Sequence, residues 1–291
     1  MATLPRRRSC LSVPGASDKM LAKALSLAAD ELVLDLEDAV PVGDKDAARD
    51  RVSRILASPE WRARRVAVRV NAIGTPWCHQ DVLAVVATAH DALTLVVPKV
   101  ESPGDLAFMD RLLAGAEAAA SSPVRLGLQA LIETARGLAA VTAIAGASLR
   151  LETLILGYAD LASSLGRPPG SRESWQSAQD AVVVAARAHG LQPIDGPYFR
   201  IVADETLGED CDHARRIGFD GKWAIHPSHL ATINAAFTPG DEEVAAARAL
   251  LAQLDRNRTD GFGASAFAGG MVDEAMRLSA LRTLHRAGLG E

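Results

Sequence analysis

The sequence has few cysteines and few aromatic residues, and both shortages limit what the chain can be. Its three cysteines, Cys10, Cys78 and Cys211, are too few and too scattered for a disulfide framework or a zinc cluster. They suit a reducing compartment, so we expect a cytoplasmic protein. Aromatic residues make up only 4% of the 291 residues, so alanine, valine and leucine must fill the core.

Long apolar runs and an excess of positive charge are also absent. No stretch approaches the roughly 20 apolar residues that a membrane-spanning helix needs. The formal net charge of −5 argues against general affinity for nucleic acids. We therefore expect partners among small molecules rather than membranes or nucleic acids.

Five short apolar runs are the most informative feature that is present, because each ends in charged or polar residues. They are residues 31–38, 66–71, 95–100, 126–133 and 154–160. Buried parallel strands read as such apolar runs, and a parallel α/β barrel carries its site at the C-terminal ends of its strands. One charged end only marks where a strand leaves the core, whereas five together favour a shared site.

The order of side chains within these runs supports the same interpretation, because successive side chains of a strand point to opposite faces. In residues 31–38, the three leucines share one face, and Asp35 and Glu37 share the other. In the next run, Arg69 opposes three valines. We expect the apolar face to pack on helices and the charged face to point into the barrel.

Strand and helix patterns alternate along most of the chain. Further strands are expected at residues 9–13, 193–199 and 222–226, which gives eight strands, the number that closes a TIM barrel. One helix is expected to start near Ser17 and Asp18. Further helices are expected at residues 44–57, 80–89, 103–120, 134–145, 172–189, 204–217 and 227–237. The sequence therefore predicts an α/β fold, a TIM (β/α)8 barrel over residues 1–240.

Two segments lie outside this alternation. The loop at residues 166–174 is rich in proline and glycine and is expected to border the site. Residues 241–291 are expected to form a C-terminal helical extension. It would contain one helix, a glycine-rich break at residues 259–270 and a second helix from about Met271.

Glu133 and Asp160 are the best candidates for metal ligands. Two carboxylates at neighbouring strand ends, completed by water and substrate oxygens, suit Mg²⁺. Zn²⁺ prefers histidine or cysteine ligands, and the sequence around His226 and His229 does not offer the further ligands of a zinc site. Glu37 and Asp38, with Asp35, form a separate acidic cluster that could hold metal-bound water, although Asp38 could equally cap the next segment.

Two basic residues at strand ends have competing interpretations. Arg69 would need a partner inside the barrel, since a buried unpaired charge costs several kcal/mol. A substrate carboxylate would suit its two-pronged guanidinium, and a salt bridge to Asp35 or Glu37 is the alternative. Lys99 could be a Schiff-base nucleophile, a charge that balances the acids, or a simple strand-end lysine.

Seven segments of this chain together resemble a known family. They are RRSCLSVPG, LVLDLEDAVP, VRVN, VPKVE, ALIETARGL, GYADLASSLG and GFDGKWAIHP, in this order. The chain resembles the citrate lyase β-subunit-like branch of the HpcH/HpaI aldolase superfamily, from about residue 6 to residue 286. The resemblance implies a TIM barrel, dependence on Mg²⁺, and cleavage or formation of a carbon–carbon bond on an acyl-CoA thioester.

The resemblance also implies roles for particular residues. It places Mg²⁺ on Glu133 and Asp160, and the carboxylate of a keto acid on Arg69 and the backbone at residues 157–160, which begins with Gly157. It places Glu37 and Asp38 near the waters of the metal. Family members with lyase activity have an acid near the C-terminus, usually followed two residues later by proline. Here that acid is Asp273, and Ala275 replaces the proline.

The expected reaction is cleavage or formation of a 3-hydroxy-3-carboxy-acyl-CoA, such as malyl-CoA, citramalyl-CoA or citryl-CoA. The products are a 2-keto acid and an acyl-CoA. The resemblance further implies a homotrimer or hexamer in which the C-terminal extension contacts a neighbouring subunit. The alternatives are a pyruvate-type class II aldolase on substrates without CoA, a Schiff-base aldolase that uses Lys99, or a subunit of a multienzyme citrate lyase.

Overall fold

The fold is described by a computed structural model that covers residues 5–168 and 175–289. Most of the proline-rich loop predicted at residues 166–174, and the first three residues of the helix predicted at 172–189, lie outside those residues. The chain divides into two compact units. One is Arg7–Asn234, and the other is the chain from Ala235 onward together with the residues before Arg7. The predicted domain boundary at residue 240 remains a prediction.

The first unit is built on eight parallel strands that form a closed barrel in sequence order. The strands are β1 (Ser9–Pro14), β2 (Glu31–Asp35), β3 (Val66–Arg69), β4 (Leu93–Val97), β5 (Gly127–Ile132), β6 (Leu151–Leu156), β7 (Gln192–Asp195) and β8 (Gly221–Ala224). The last strand closes on the first through pairs such as Trp223 with Cys10. This arrangement confirms the predicted TIM (β/α)8 barrel.

Helices follow the strands, close to the predicted positions. They are α1 (Asp18–Ala24), α2 (Lys45–Leu56), α3 (Pro59–Arg62), α4 (Cys78–Val86), α5 (Pro103–Ala119), α6 (Ala135–Ala139), α7 (Val141–Ala145), α8 (Tyr158–Leu165), α9 (Gln176–Ala188), α10 (Glu205–Ile217) and α11 (Leu230–Ala236). Polar N-caps explain several starts. The Ser17 hydroxyl accepts a hydrogen bond from the backbone of Met20, and the Asp204 carboxylate accepts one from Leu207. None of the helices in the described residues is both long and apolar enough to cross a bilayer.

The barrel interior is arranged in layers that follow the alternation of the strands. Each strand gives one side chain to a buried apolar cluster, formed by Cys10, Val33, Ala67, Val96, Leu131, Ile155, Ile194 and Trp223. Below this cluster, buried Glu31 accepts hydrogen bonds from Arg7 and Gln129, both at 3.0 Å. Two residues beyond the cluster along β2, β3 and β5, the alternation directs Asp35, Arg69 and Glu133 inward at the C-terminal ends.

The second unit contains a long helix, a hairpin and a second helix. The elements are α12 (Asp241–Asp260), β9 (Ala264–Phe267), β10 (Gly270–Asp273) and α13 (Arg277–Arg286). The helix predicted from about Met271 begins six residues later, at Arg277, because Met271 lies in β10 and pairs with Ala266 of β9. Ala268 and Gly269 both have positive φ, at 49° and 81°, which is the backbone of a tight hairpin turn.

Candidate active site

A cavity of about 380 Å³ lies at the C-terminal ends of the barrel strands. Its polar lining includes five of the residues discussed above: Asp35, Asp38, Arg69, Glu133 and Asp160. Gly157 also lines it, and much of the remaining lining is apolar, with Pro14, Leu131, Ile155, Tyr158, Trp223 and Ile225. The structure therefore brings most barrel residues of the predicted site together around one cavity, and Glu37 does not line it but contacts Arg69 and Lys99.

The two candidate metal ligands come from different kinds of element. Glu133 directly follows β5 and is buried, with 2% of its surface exposed. The prediction that Asp160 ends a strand is wrong, because β6 stops at Leu156 and Asp160 lies in the first turn of α8. The chain changes direction at Gly157, whose backbone nitrogen donates a hydrogen bond to the Ile132 carbonyl at 3.0 Å.

Gly157 is required for the close approach of Glu133. A Cβ atom at position 157 would lie 2.7 Å from the Oε2 atom of Glu133 and the same distance from its Cβ atom. Only glycine lets the start of α8 pack directly against this carboxylate. The packing places the Glu133 carboxylate beside the turn that carries Asp160.

The surroundings of Glu133 fit a divalent cation. Burial and the nearby charges of Glu37 and Asp160 raise the pKa of Glu133 to about 8. The backbone nitrogen of Lys99 donates a hydrogen bond to Oε1 at 2.8 Å. Within the described residues, no group of three or more histidine, cysteine, aspartate or glutamate side chains is arranged to hold a metal ion. Two carboxylates with open positions for water suit Mg²⁺, which keeps several waters and often binds through one or two carboxylates.

Arg69 forms the salt bridge that the sequence offered as one of its two interpretations. Its Nε and Nη2 atoms donate to the two oxygens of buried Asp35, at 2.9 and 2.5 Å. Its Nη1 atom lies 3.1 Å from Oε2 of Glu37. The guanidinium still lines the cavity, so this salt bridge also fixes its orientation there.

Lys99 links the acidic loop after β2 to Glu133. Its ammonium group contacts Oε1 of Glu37 and lies 3.4 Å from Oδ2 of Asp38. Partial burial lowers the pKa of Lys99, but the hydrogen bond to Glu37 and the charges of Glu37 and Glu133 outweigh it, so the pKa is above its ordinary value. A protonated ammonium group that is held by carboxylates is a poor Schiff-base nucleophile, because imine formation needs the free amine.

Lys45 is a residue of this region that the sequence analysis missed. From the first turn of α2, its ammonium group donates to the backbone carbonyls of Leu36 and Glu37, at 2.8 and 2.7 Å. The same group lies 5.7 Å from the centre of the Trp77 ring. The signal was available, because Lys45 falls on the buried stripe of an amphipathic helix, where an unpartnered charge is costly.

Asp273 lies in the C-terminal unit, at the end of β10. Its Oδ1 atom accepts a hydrogen bond from the backbone nitrogen of Ala275 at 3.0 Å and so caps the helical turn that precedes α13. This bond engages one carboxylate oxygen. A capping role and a role as a proton donor through the other oxygen are therefore compatible.

Comparison with known proteins shows the family. The HpcH/HpaI aldolase/citrate lyase family matches residues 8–227. The chain is 35% identical to an L-malyl-CoA/β-methylmalyl-CoA lyase of Rhodobacter capsulatus, over 90% of this chain and 88% of the relative. It is 36% identical to a (3S)-malyl-CoA thioesterase of Cereibacter sphaeroides, over 96% and 94% of the two chains.

A solved structure gives the same result. CitE from Mycobacterium tuberculosis, in complex with magnesium, acetoacetate and coenzyme A, superposes with a TM-score of 0.75. The identity is 31%, and the match covers 97% of this chain and 98% of that one. The chain belongs to the HpcH/HpaI aldolase/citrate lyase family. At the level of this family, the predictions of a carbon–carbon lyase that acts on CoA substrates and of Mg²⁺ as its cofactor are confirmed.

Proposed function

We propose that this chain cleaves, or forms, the carbon–carbon bond of malyl-CoA or a close homologue such as citramalyl-CoA. The observation that carries the proposal is the set of charged groups around one cavity. A carboxylate pair suited to Mg²⁺, Glu133 and Asp160, lies beside an arginine suited to a substrate carboxylate. The lyase and thioesterase relatives are both named for malyl-CoA, which favours a CoA thioester over a free aldol.

The proposed roles follow from this geometry. Glu133 and Asp160 hold Mg²⁺, which when bound would act as a Lewis acid on the hydroxyl and carboxylate oxygens of the substrate. Arg69 and the backbone N–H groups that follow Gly157 at the start of α8 bind and orient that carboxylate. Glu37 and Asp38 hold water at the edge of the site.

The proton and electron balance of cleavage defines what else the protein must supply. The hydroxyl group loses its proton to the water held by Glu37 and Asp38, the bond between the hydroxylated carbon and the neighbouring methylene breaks, and its electron pair passes into the thioester as an enolate. An acid must then protonate the methylene carbon to give the methyl group of acetyl-CoA. We assign this acid to Asp273. Carboxylates that hold a metal are poor donors, because a cation stabilises their ionised form.

Product analysis tests the proposal. With Mg²⁺, malyl-CoA should give glyoxylate and acetyl-CoA, citramalyl-CoA should give pyruvate and acetyl-CoA, and free malate or citramalate should not react. EDTA should stop the reaction and Mg²⁺ should restore it. Borohydride with pyruvate should not attach the keto acid to the protein. Covalent attachment that is lost in Lys99→Ala would overturn the metal mechanism in favour of a Schiff base.

The thioesterase relative provides the second candidate function. Its alignment covers a larger share of both chains than the lyase alignment does. A thioesterase would bind the same malyl-CoA but would let water attack the thioester, so the products would be malate and free CoA. The same assay distinguishes the two functions, because free thiol appears only with the thioesterase and keto acid only with the lyase.

The assembly and location also belong to this proposal. We propose a homotrimer, or a hexamer built from trimers, in which the extension at residues 241–291 completes a neighbour's site and supplies Asp273 to it. A cytoplasmic location remains the prediction made from the few scattered cysteines.

Mixing two inactive variants tests whether Asp273 acts in a neighbouring subunit. Asp273→Ala lacks the acid, and Glu133→Gln lacks a metal ligand. If the site is shared, random subunit exchange at equal amounts should restore about one quarter of wild-type activity, because half of the barrels are intact and half of their neighbours carry the acid.

Glu274→Ala serves as the control, because the Glu274 side chain is exposed and its removal should not affect activity. Mass spectrometry should first establish that mixed oligomers form. Proven mixed assembly without any recovery would assign Asp273 to its own subunit or remove it from the chemistry.

A further inference from the structure

Lys99 has an unusual backbone conformation for a residue with a side chain. Its φ is 51°, in the left-handed region, where a Cβ atom approaches the following carbonyl at a cost in energy. Such strain persists when the surroundings impose it, and it tends to occur at functional sites. Ser121 also has a φ of 51°. It is exposed and directly follows the C-cap of α5, where left-handed residues commonly end helices.

The left-handed turn at Lys99 gives this one residue two contacts with the site. Its backbone nitrogen meets Oε1 of Glu133, and its ammonium group meets Glu37 and Asp38. The segment after it is held tightly, because a Cβ atom at Gly137 would lie 2.2 Å from the Val100 carbonyl oxygen. The fold therefore imposes the strained conformation.

The balance of charges around the cavity indicates a role for the Lys99 ammonium group. Five carboxylates surround the site: Asp35, Glu37, Asp38, Glu133 and Asp160. The cations in the same region are Arg69, Lys99 and, behind the acidic loop, Lys45. Mg²⁺ would bring these groups to neutrality, and the loss of Lys99 would leave an excess negative charge where an anionic keto acid has to bind.

We propose that Lys99 is a positioning residue that neutralises the Glu37–Asp38 pair and so admits an anionic substrate beside Glu133. This inference rests on the proposed function for the identity of the anion. Lys99 acts through the two acids, and its charge matters more than its ability to brace the loop.

Three variants separate the charge from the backbone strain. Lys99→Met removes the charge and keeps both the stem and the strained backbone, Lys99→Arg keeps the charge, and Lys99→Gly removes the side chain but relieves the strain. Ser121→Gly is the matched control, because it relieves the same φ far from the charged groups. Both glycine variants should unfold at temperatures no lower than wild type, and Lys99→Gly should unfold about 2 °C above Lys99→Met.

Calorimetric binding of pyruvate to the Mg²⁺-loaded protein is the decisive readout. We expect Lys99→Met and Lys99→Gly to bind pyruvate at least about tenfold more weakly, and Lys99→Arg and Ser121→Gly to stay within about threefold of wild type. The proposed role of the charge would be overturned if Lys99→Met bound pyruvate with wild-type affinity. It would also be overturned if Lys99→Arg bound pyruvate as weakly as Lys99→Met does.

Binding of Mg²⁺ alone separates this inference from the proposed function. Removal of a nearby positive charge should leave Mg²⁺ affinity unchanged or raise it severalfold in Lys99→Met, whereas a loss of Mg²⁺ affinity would mean that Lys99 only braces Glu133. Failure of the wild-type protein to bind either pyruvate or glyoxylate would contradict the proposed keto acid. A loss of Mg²⁺ affinity in Lys99→Met would then still overturn the inference about Lys99.

Discussion

Glu133→Gln is expected to lower Mg²⁺ affinity by a factor on the order of 100 and to abolish lyase activity, while the metal-free protein becomes more stable. The loss of affinity follows from removing one charged ligand, which is worth several kcal/mol at short range. The gain in stability has a different cause. The raised pKa of Glu133 shows that its charged form is disfavoured in the fold, so a neutral amide of the same size relieves that cost. The amide oxygen can still accept the hydrogen bond from Lys99.

The opposite signs of these two effects distinguish a metal ligand from a structural acid. Asp160→Asn should also lose Mg²⁺, and calorimetry with thermal unfolding measures both quantities. Glu60→Gln provides the control for Mg²⁺ affinity, because Glu60 is exposed on α3 and should leave that affinity unchanged. Full Mg²⁺ affinity in a Glu133→Ala, Asp160→Ala double variant would sink the assignment of the metal site.

Arg69→Lys is expected to weaken keto-acid binding by about tenfold or more, with little change in Mg²⁺ affinity. Lysine keeps the positive charge beside Asp35 but cannot replace the planar fork that binds two carboxylates at once. The effect should appear as a raised KM for the keto acid in the condensation direction. Arg69→Ala would be a poorer test, because it leaves buried Asp35 without its partner and endangers folding.

Arg187→Lys is the matched control for this change. Arg187 also binds an aspartate with two prongs, reaching Asp220 at 2.7 and 2.8 Å, but Asp220 directly precedes β8, at the N-terminal face of the barrel. This variant should cost stability without affecting KM. Unchanged KM and kcat in Arg69→Lys, together with a similar loss of stability, would assign Arg69 to a purely structural salt bridge.

Much of the site could be predicted from the sequence because the barrel strands alternate regularly. Once residues 31–38 are interpreted as a strand, the period of two directs Asp35 inward, and the same rule directs Arg69 and Glu133 inward. The parallel fold then brings these strand ends to one face. Local pattern and global topology agree at these positions, and the cavity lies where the pattern indicates.

The rest of the site depends on contacts that local patterns do not contain. Asp160 lies on a helix because β6 ends at Leu156 and the chain turns at Gly157, which packs against Glu133, a residue 24 positions earlier in the chain. The conformation of Lys99 is imposed by its surroundings, and sequence rules assign left-handed turns to glycine rather than lysine. The burial of Lys45 on one face of α2 was predictable, but its partners were not, because the backbone carbonyls that it binds carry no sequence signal of their own. In the C-terminal unit, the predicted glycine-rich break contains the Ala268–Gly269 turn of a hairpin, whose second strand occupies the predicted start of the last helix.

The measurement that tests the account most directly is a crystal structure of the protein soaked with Mg²⁺ and pyruvate. We expect one Mg²⁺ ion with oxygens of Glu133 and Asp160 among its ligands, and pyruvate with its carboxylate within hydrogen-bond distance of Arg69. The ammonium group of Lys99 should remain on Glu37 and Asp38. A metal ion bound elsewhere, or pyruvate joined covalently to Lys99, would contradict the proposed site.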